Sequence, residues 1–242
     1  MRKTDGPYTI DSLELGPMDN FIHIIADNST GSAAVVDPAW DIPAIIARLE
    51  ALQLTLSDIL LTHSHADHIN GLEELLAYRS VPVHISAEEA GFWPDCPADV
   101  VRHQDGEAFK VGQLQGTWLV TPGHTPGSSC FLFDGALLTG DTLFIFGCGR
   151  CDLHGGDPLQ MYASLQRLKD IVPPQTRVYA GHNYGDRPST DMALQTEANP
   201  FLYWHEVDDF VRYRMEIHDK VRDTPYGPET AEALEALMAQ YR

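Results

Sequence analysis

Apolar and polar residues alternate along this chain in short blocks, and the first blocks predict strands. Phe21-Ile22-His23-Ile24-Ile25 is apolar and β-branched, Asn28-Ser29-Thr30-Gly31 is a turn, and Ala33-Ala34-Val35-Val36 is a buried strand closed by Asp37-Pro38. Pro43 opens a helix with Ile45, Ile46, Leu49 and Leu52 on one face. Ile59-Leu60-Leu61 is a buried strand that runs into His63-Ser64-His65-Ala66-Asp67-His68. Ile69, Leu72, Leu75 and Leu76 then recur at helical spacing, so the histidine run occupies a strand-to-helix turn. Val81 to Ile85 reads as a strand and Gly91 to Asp105 as a loop. Trp118-Leu119-Val120, Cys130 to Phe133, Ala136-Leu137-Leu138 and Arg177 to Ala180 read as further strands. Asp157 and Pro158 form an N-cap and N1 pair, with Leu159, Tyr162, Leu165 and Leu168 facing inward behind them. From about Thr190 the pattern is helical, broken at Asn199-Pro200 and ending in an amphipathic packing helix over Glu229 to Tyr241. Strands mixed with helices, without strict βαβ alternation and without internal repeats, predict an α/β sandwich.

Composition narrows the partners. With 16 Lys and Arg against 35 Asp and Glu the formal net charge is -19, which disfavours nucleic acid and anionic membrane surfaces. Four cysteines in 242 residues are too few for a disulfide framework. Arg2 and Lys3 are not followed by an apolar signal region, and no stretch reaches the length of a membrane span. A cytoplasmic location is expected, with a small molecule as partner and a homodimer left open. The pair Cys148 and Cys151 reads as two thiols brought close by a tight loop.

The chemistry lies where strands end. Ile59-Leu60-Leu61-Thr62 delivers His63, and Trp118 to Gly123 delivers His124. Ala136 to Gly140 delivers Asp141, and Val178 to Gly181 delivers His182. Rigid strands place ligands accurately, and the loops after them leave room for substrate. Imidazole and carboxylate donors suit Zn, Fe or Mn. His63 and His65, two apart in an extended segment, point the same way, while Asp67 and His68 follow as the chain turns into its helix. His23, His84, His103, His154, His205 and His218 lack such a setting and read as ordinary core or surface residues.

The run HSHADH resembles the HxHxDH signature of the metallo-β-lactamase superfamily, and TPGHTPGS, LLTGDTLF and AGHNYG resemble its later motifs in the same order. The resemblance implies a four-layer αββα sandwich over residues 1–189, with a short C-terminal helical extension over 190–242 packed on it. It also implies two divalent metal ions, zinc first and Fe or Mn as alternatives. His63, His65 and His124 would hold one metal, Asp67, His68 and His182 the other, and Asp141 would bridge them. The catalytic residues would be Asp67 and Asp141.

Within that superfamily the segment Thr139 to Arg150 resembles glyoxalase II, which hydrolyses hydroxyacylglutathione thioesters with a metal-bridging hydroxide. Arg150 and Tyr184 would then bind substrate. Arg212, Arg214, Lys220 and Arg222 are loose counterparts of that family's basic glutathione clamp. Gly149 to Asp157 and Asn199-Pro200-Phe201-Leu202 also resemble persulfide dioxygenases, which would use a single Fe on His63, His124 and Asp141 to oxidise glutathione persulfide. A lactonase or other ester hydrolase is the third reading.

Overall fold

The computed structural model describes residues 6–241; Arg2 and Lys3 lie outside the described residues. The strands of the first sheet are β1 (Tyr8–Leu15), β2 (Asn20–Asp27), β3 (Ser32–Val36), β4 (Thr55–Leu60), β5 (Val83–Ser86) and β6 (Val101–His103), paired in sequence order. Its first three strands are antiparallel and its last four are parallel. Next come β7 (Ala108–Val111), β8 (Leu114–Val120), β9 (Ser129–Phe133), β10 (Ala136–Gly140), the two-residue β11 (Leu143–Phe144) and β12 (Gly147–Cys148), β13 (Arg177–Ala180) and β14 (Thr190–Asp191). The second sheet has the order β14-β13-β10-β9-β8-β7, while β11 and β12 form a hairpin of their own.

The chain divides into two compact units. One comprises the described residues through Val120 with Phe131–Phe133, and the other comprises Thr121–Cys130 with the described residues from Asp134 on. The core of the first unit gathers Ile22, Ile24, Val35 and Ile59 from its sheet and Leu61 just past β4 with Ile42, Ile45 and Leu49 from the helix Ile42–Ala51. That helix starts where expected: Asp41 accepts a hydrogen bond from the Ala44 N–H at 3.0 Å, and a proline stands in the first turn. Also in this unit, Trp118 stacks on His103 with centroids 4.4 Å apart and packs against Phe131 at 4.5 Å.

In the second unit Asp157 caps the helix Pro158–Ile171, accepting from Leu159 N at 2.8 Å. The buried face is Met161, Ser164, Leu165 and Leu168, and Leu159 is 57% exposed rather than inward. The i, i+3, i+4, i+7 stripe begins at Met161, which places Leu159 in the exposed first turn. After Thr190 come helices Met192–Ala198, Pro200–Tyr203 and Val207–Arg212, a π-helical turn Tyr213–Ile217, and helices His218–Val221 and Ala231–Gln240. Asn199 ends one helix and caps the next, its side chain accepting from Phe201 N at 2.9 Å. Phe201, Phe210 and Tyr213, all fully buried, knit these pieces together.

One further sequence expectation, the loop over Gly91 to Asp105, needs correction. The segment Gly91 to Asp105 contains β6, and the helix Ala87–Phe92 runs into its start, capped by Ser86 accepting from Glu89 N at 3.0 Å. All four cysteines are free thiols. Among the described residues no helix is long and apolar enough to cross a membrane.

Candidate metal centre

All four metal-capable residues at strand ends lie just past the carboxyl end of a strand. His63 follows β4, His124 follows β8, Asp141 follows β10 and His182 follows β13. Parallel pairing makes neighbours of residues far apart in sequence. Val36 of β3 is opposite Leu60 of β4, so Asp37 meets the Thr62-His63 segment, and Gly140 of β10 is opposite Ala180 of β13, so Asp141 meets His182.

In the first unit Asp37 organises the histidine run. Its carboxylate accepts from the Thr62 backbone N–H at 2.7 Å, from Thr62 Oγ1 at 2.6 Å and from His68 Nδ1 at 3.0 Å. Because the Thr62 hydroxyl spends its proton on Asp37, it accepts from His63 Nδ1 at 3.0 Å. Both His63 and His68 therefore carry their protons on Nδ1 and present the lone pair of Nε2 outward, the tautomer a metal needs. His63 Nε2 and His65 Nδ1 converge to 3.1 Å, and His68 Nε2 is 3.4 Å from Asp67 Oδ2. Asn20 Nδ2 donates to Asp67 Oδ2 at 3.1 Å, and Trp40 Nε1 donates to Asn20 Oδ1 at 2.8 Å. The buried carboxylate of Glu89 accepts from Ser64 N at 2.8 Å and Ser64 Oγ at 2.6 Å, pinning the turn between His63 and His65. Ligand atoms of Asp37, His63 and His68 lie within 4.8 Å of one another.

In the second unit one carboxylate oxygen stands between two imidazoles. Asp141 Oδ2 is 3.4 Å from His124 Nε2 and 3.4 Å from His182 Nε2. His124 Nδ1 lies 2.8 Å from the carbonyl oxygen of Arg150, which can only accept, so the proton sits on Nδ1 and Nε2 is the ligating nitrogen. His182 is stacked on Tyr184 with centroids 4.7 Å apart and 10° between planes, and meets Phe144 edge-on at 5.7 Å. Two glycines leave space for Asp141. A Cβ on Gly181 would stand 2.6 Å from Asp141 Oδ1, and one on Gly149 would stand 1.9 Å from the Asp141 carbonyl oxygen.

The donors fit a divalent metal: in each unit imidazole nitrogens of fixed tautomer converge with a carboxylate, and a backbone or carboxylate partner holds the far side of His68 and His124.

Arg150 is placed differently from a free anion binder. Its guanidinium makes two parallel bonds to Asp152, Nε to Oδ1 at 2.9 Å and Nη2 to Oδ2 at 2.7 Å. The Arg150 fork holds the Asp152 carboxyl down at about 2. Of the basic residues of the tail, Arg214 is buried and Arg222 half-buried, and both are bound to backbone carbonyls, those of Gly149, Phe146 and Gly227. Burial raises the Cys148 thiol well above its ordinary value and pushes Cys151 up to about 12, so both stay protonated. Asp37, Asn20 and Glu89 were missing from the sequence reading; the Asp-Pro that closes β3 was visible only as a strand end.

Residues 15–182 match the metallo-beta-lactamase superfamily, and the chain belongs to that superfamily of metallo-hydrolases, with its α/β fold and added C-terminal helices. It is 38% identical over 201 residues to a probable polyketide biosynthesis zinc-dependent hydrolase, BaeB, of Bacillus velezensis, covering 83% of this chain and 89% of that protein. It is 45% identical over 166 residues to a hydroxyacylglutathione hydrolase of Alkalilimnicola ehrlichii, covering 69% of this chain and 62% of that protein. Among solved structures, ETHE1 from Myxococcus xanthus superimposes with a TM-score of 0.79 at 28% identity, over 97% of this chain and 100% of that one. TTHA1623 in a di-iron-bound form gives 0.70 at 29% identity, over 79% and 100%.

Proposed function

We propose that the chain hydrolyses the thioester of a small thiol, hydroxyacylglutathione or a related compound, at a centre of two divalent metal ions, zinc by preference. His63, His65 and His124 would hold one ion, Asp67, His68 and His182 the other, and Asp141 both. The observation that carries this reading is Asp141 Oδ2 equidistant, at 3.4 Å, from the Nε2 atoms of His124 and His182, the arrangement of a carboxylate shared between two imidazole-bound sites. A divalent metal on such donors lowers the pKa of water to about 7 and supplies hydroxide at neutral pH.

The chain's own part is orientation. Asp67, whose Oδ2 accepts from Asn20 Nδ2, would orient the attacking water with its remaining lone pairs. Asp37 and the Arg150 carbonyl hold the ligating histidines in one tautomer, so no reorganisation accompanies the chemistry. Tyr184, stacked on His182, and Arg150 would line the thiol side of the substrate. The relatives named as hydroxyacylglutathione hydrolase and as zinc-dependent hydrolase support the reaction class and the metal.

A second reading, a persulfide dioxygenase with one iron on His63, His124 and Asp141, is favoured by the likeness to ETHE1 over 97% of the chain. One experiment separates the two. The purified protein is analysed for metal, then assayed for S-lactoylglutathione hydrolysis and, in an oxygen electrode, for oxygen uptake with glutathione persulfide. Two zinc equivalents with thioester turnover are expected. One iron with oxygen uptake and no hydrolysis would replace the first reading by the second.

A further inference from the structure

The least expected contact with the ligand loops comes from the C-terminal helices. Arg214 lies in the π-helical turn Tyr213–Ile217 and is 3% exposed. A buried guanidinium is costly unless every face is hydrogen-bonded. Here Nη1 pairs with Asp219 at 2.9 Å, and Nε donates to the Gly149 carbonyl oxygen at 3.3 Å. The thiols of Cys148 and Cys151 point at that same oxygen, at 3.5 and 3.7 Å. One backbone carbonyl thus gathers a guanidinium and two thiols. The next carbonyl along the chain, that of Arg150, is the acceptor of His124 Nδ1 at 2.8 Å. Gly149 has no slack against the ligands: its missing Cβ would lie 1.9 Å from the Asp141 carbonyl and 3.1 Å from His124 Nδ1.

We propose that Arg214 is a positioning residue: by clamping the Gly149 carbonyl it fixes the Arg150 carbonyl, hence the rotation of the His124 imidazole and the affinity with which that histidine takes up metal. The Gly149 and Arg150 carbonyls belong to consecutive rigid peptide planes hinged at the Arg150 Cα, so loosening the first plane lets the second swing away from Nδ1. π-helical turns recur at functional sites because the widened turn re-aims a side chain, and here the re-aimed side chain reaches the metal loop. Removing a partner that orients a metal-bound histidine typically costs ~10–100-fold in metal affinity.

The proposal rests on the metal-centre reading, and zinc affinity tests it apart from activity. The full chain is stripped with a chelator, and zinc is titrated against a chromophoric competitor for wild type, Arg214→Ala, Arg214→Lys and Asp219→Asn. Arg214→Ala should weaken one zinc equivalent by about 10–100-fold and shift the visible spectrum of the cobalt-loaded protein, and added guanidinium ion should recover part of the loss. Asp219, 64% exposed, is the solvent side of its pair with Arg214, and Asp219→Asn keeps an oxygen acceptor for Nη1 while leaving Nε on Gly149, so zinc affinity should stay within about 5-fold of wild type. Unchanged zinc affinity in Arg214→Ala overturns the proposal, as does an equal loss in Asp219→Asn. If far-UV circular dichroism shows Arg214→Ala unfolded, Arg214→Lys decides, since a single ammonium cannot reach both Gly149 and Asp219; wild-type affinity there is fatal to the idea. Wild-type protein that takes up no zinc or other divalent ion would sink the metal-centre reading itself, an outcome distinct from equal affinities in wild type and variant.

Discussion

His68 Nδ1 lies 3.0 Å from Asp37 Oδ2, an oxygen that also accepts the hydroxyl proton of Thr62 at 2.6 Å. One carboxylate oxygen therefore sets the tautomer of His68 directly and that of His63 through Thr62. Asp37 has φ +51°, a left-handed conformation that Asn tolerates, so Asp37→Asn keeps the backbone while turning one acceptor into a donor. Zinc affinity should drop by roughly 10–100-fold, with thioester turnover falling in step, measured by chelator competition and steady-state kinetics. Asp37→Ala strands three buried donors as well and should lower the stability of the metal-free protein by about 2 kcal/mol or more in urea titrations. Equal zinc affinity in Asp37→Asn and wild type would remove Asp37 from the account.

Gly181→Ala separates position from ligand identity. The added methyl would come within 2.6 Å of Asp141 Oδ1, the far end of a short side chain, and that side chain must turn aside. The substitution leaves every donor in place, yet kcat/KM should fall at least ~10-fold with stability lowered by about 1–3 kcal/mol, the usual cost of overpacking. Wild-type turnover in a folded Gly181→Ala protein would show that Asp141 needs no fixed orientation.

The Arg150–Asp152 fork bears on which thiol is preferred. An arginine already neutralised offers little to an anionic substrate, and the protein carries a net charge of -19 besides. Asp152→Asn frees the guanidinium. Because both groups are well exposed, at 58% and 42%, the effect is modest: KM for S-lactoylglutathione should fall by about 2–5-fold with kcat unchanged, while a neutral N-acetylcysteamine thioester shows no change. A KM that drops equally for both substrates would assign the effect to loop structure.

Much of this centre was legible because its donors are local to strand ends, where an apolar run followed by Thr or Gly and then His or Asp stands out. Asp37, Asn20 and Glu89 were not legible, for their roles arise from pairings across 25 to 47 residues: Asp37 with Thr62 and His68, Glu89 with Ser64, Asn20 with Asp67. The order of parallel strands decides such meetings, and no periodicity encodes it. β6 was read as loop because only His103 of its three residues is buried, leaving no alternation to detect. Leu159 looked like a core residue by type and proved exposed by phase. Arg214 was noticed as a loose counterpart of a glutathione clamp, and its burial is a property of the helices around it rather than of its neighbours in sequence.

His218 should make the metal-free protein acid-labile. It is 3% exposed, and burial together with the nearby Arg214 guanidinium lowers its pKa from 6.5 to about 4, against the opposing pull of Asp219. The folded state thus holds His218 neutral while the unfolded chain protonates it near 6.5. Between those values the unfolded state binds more protons, so the stability this group contributes is complete above pH 6.5 and is lost as the pH falls toward 4. Full titration over that interval corresponds to roughly 3 kcal/mol. In His218→Phe, which keeps an aromatic ring against Phe201 and Tyr226, the fall in urea stability from pH 7 to pH 4.5, which stops short of the folded pKa, should be smaller than in wild type by about 2 kcal/mol. Identical pH profiles for the two proteins would place the acid sensitivity elsewhere.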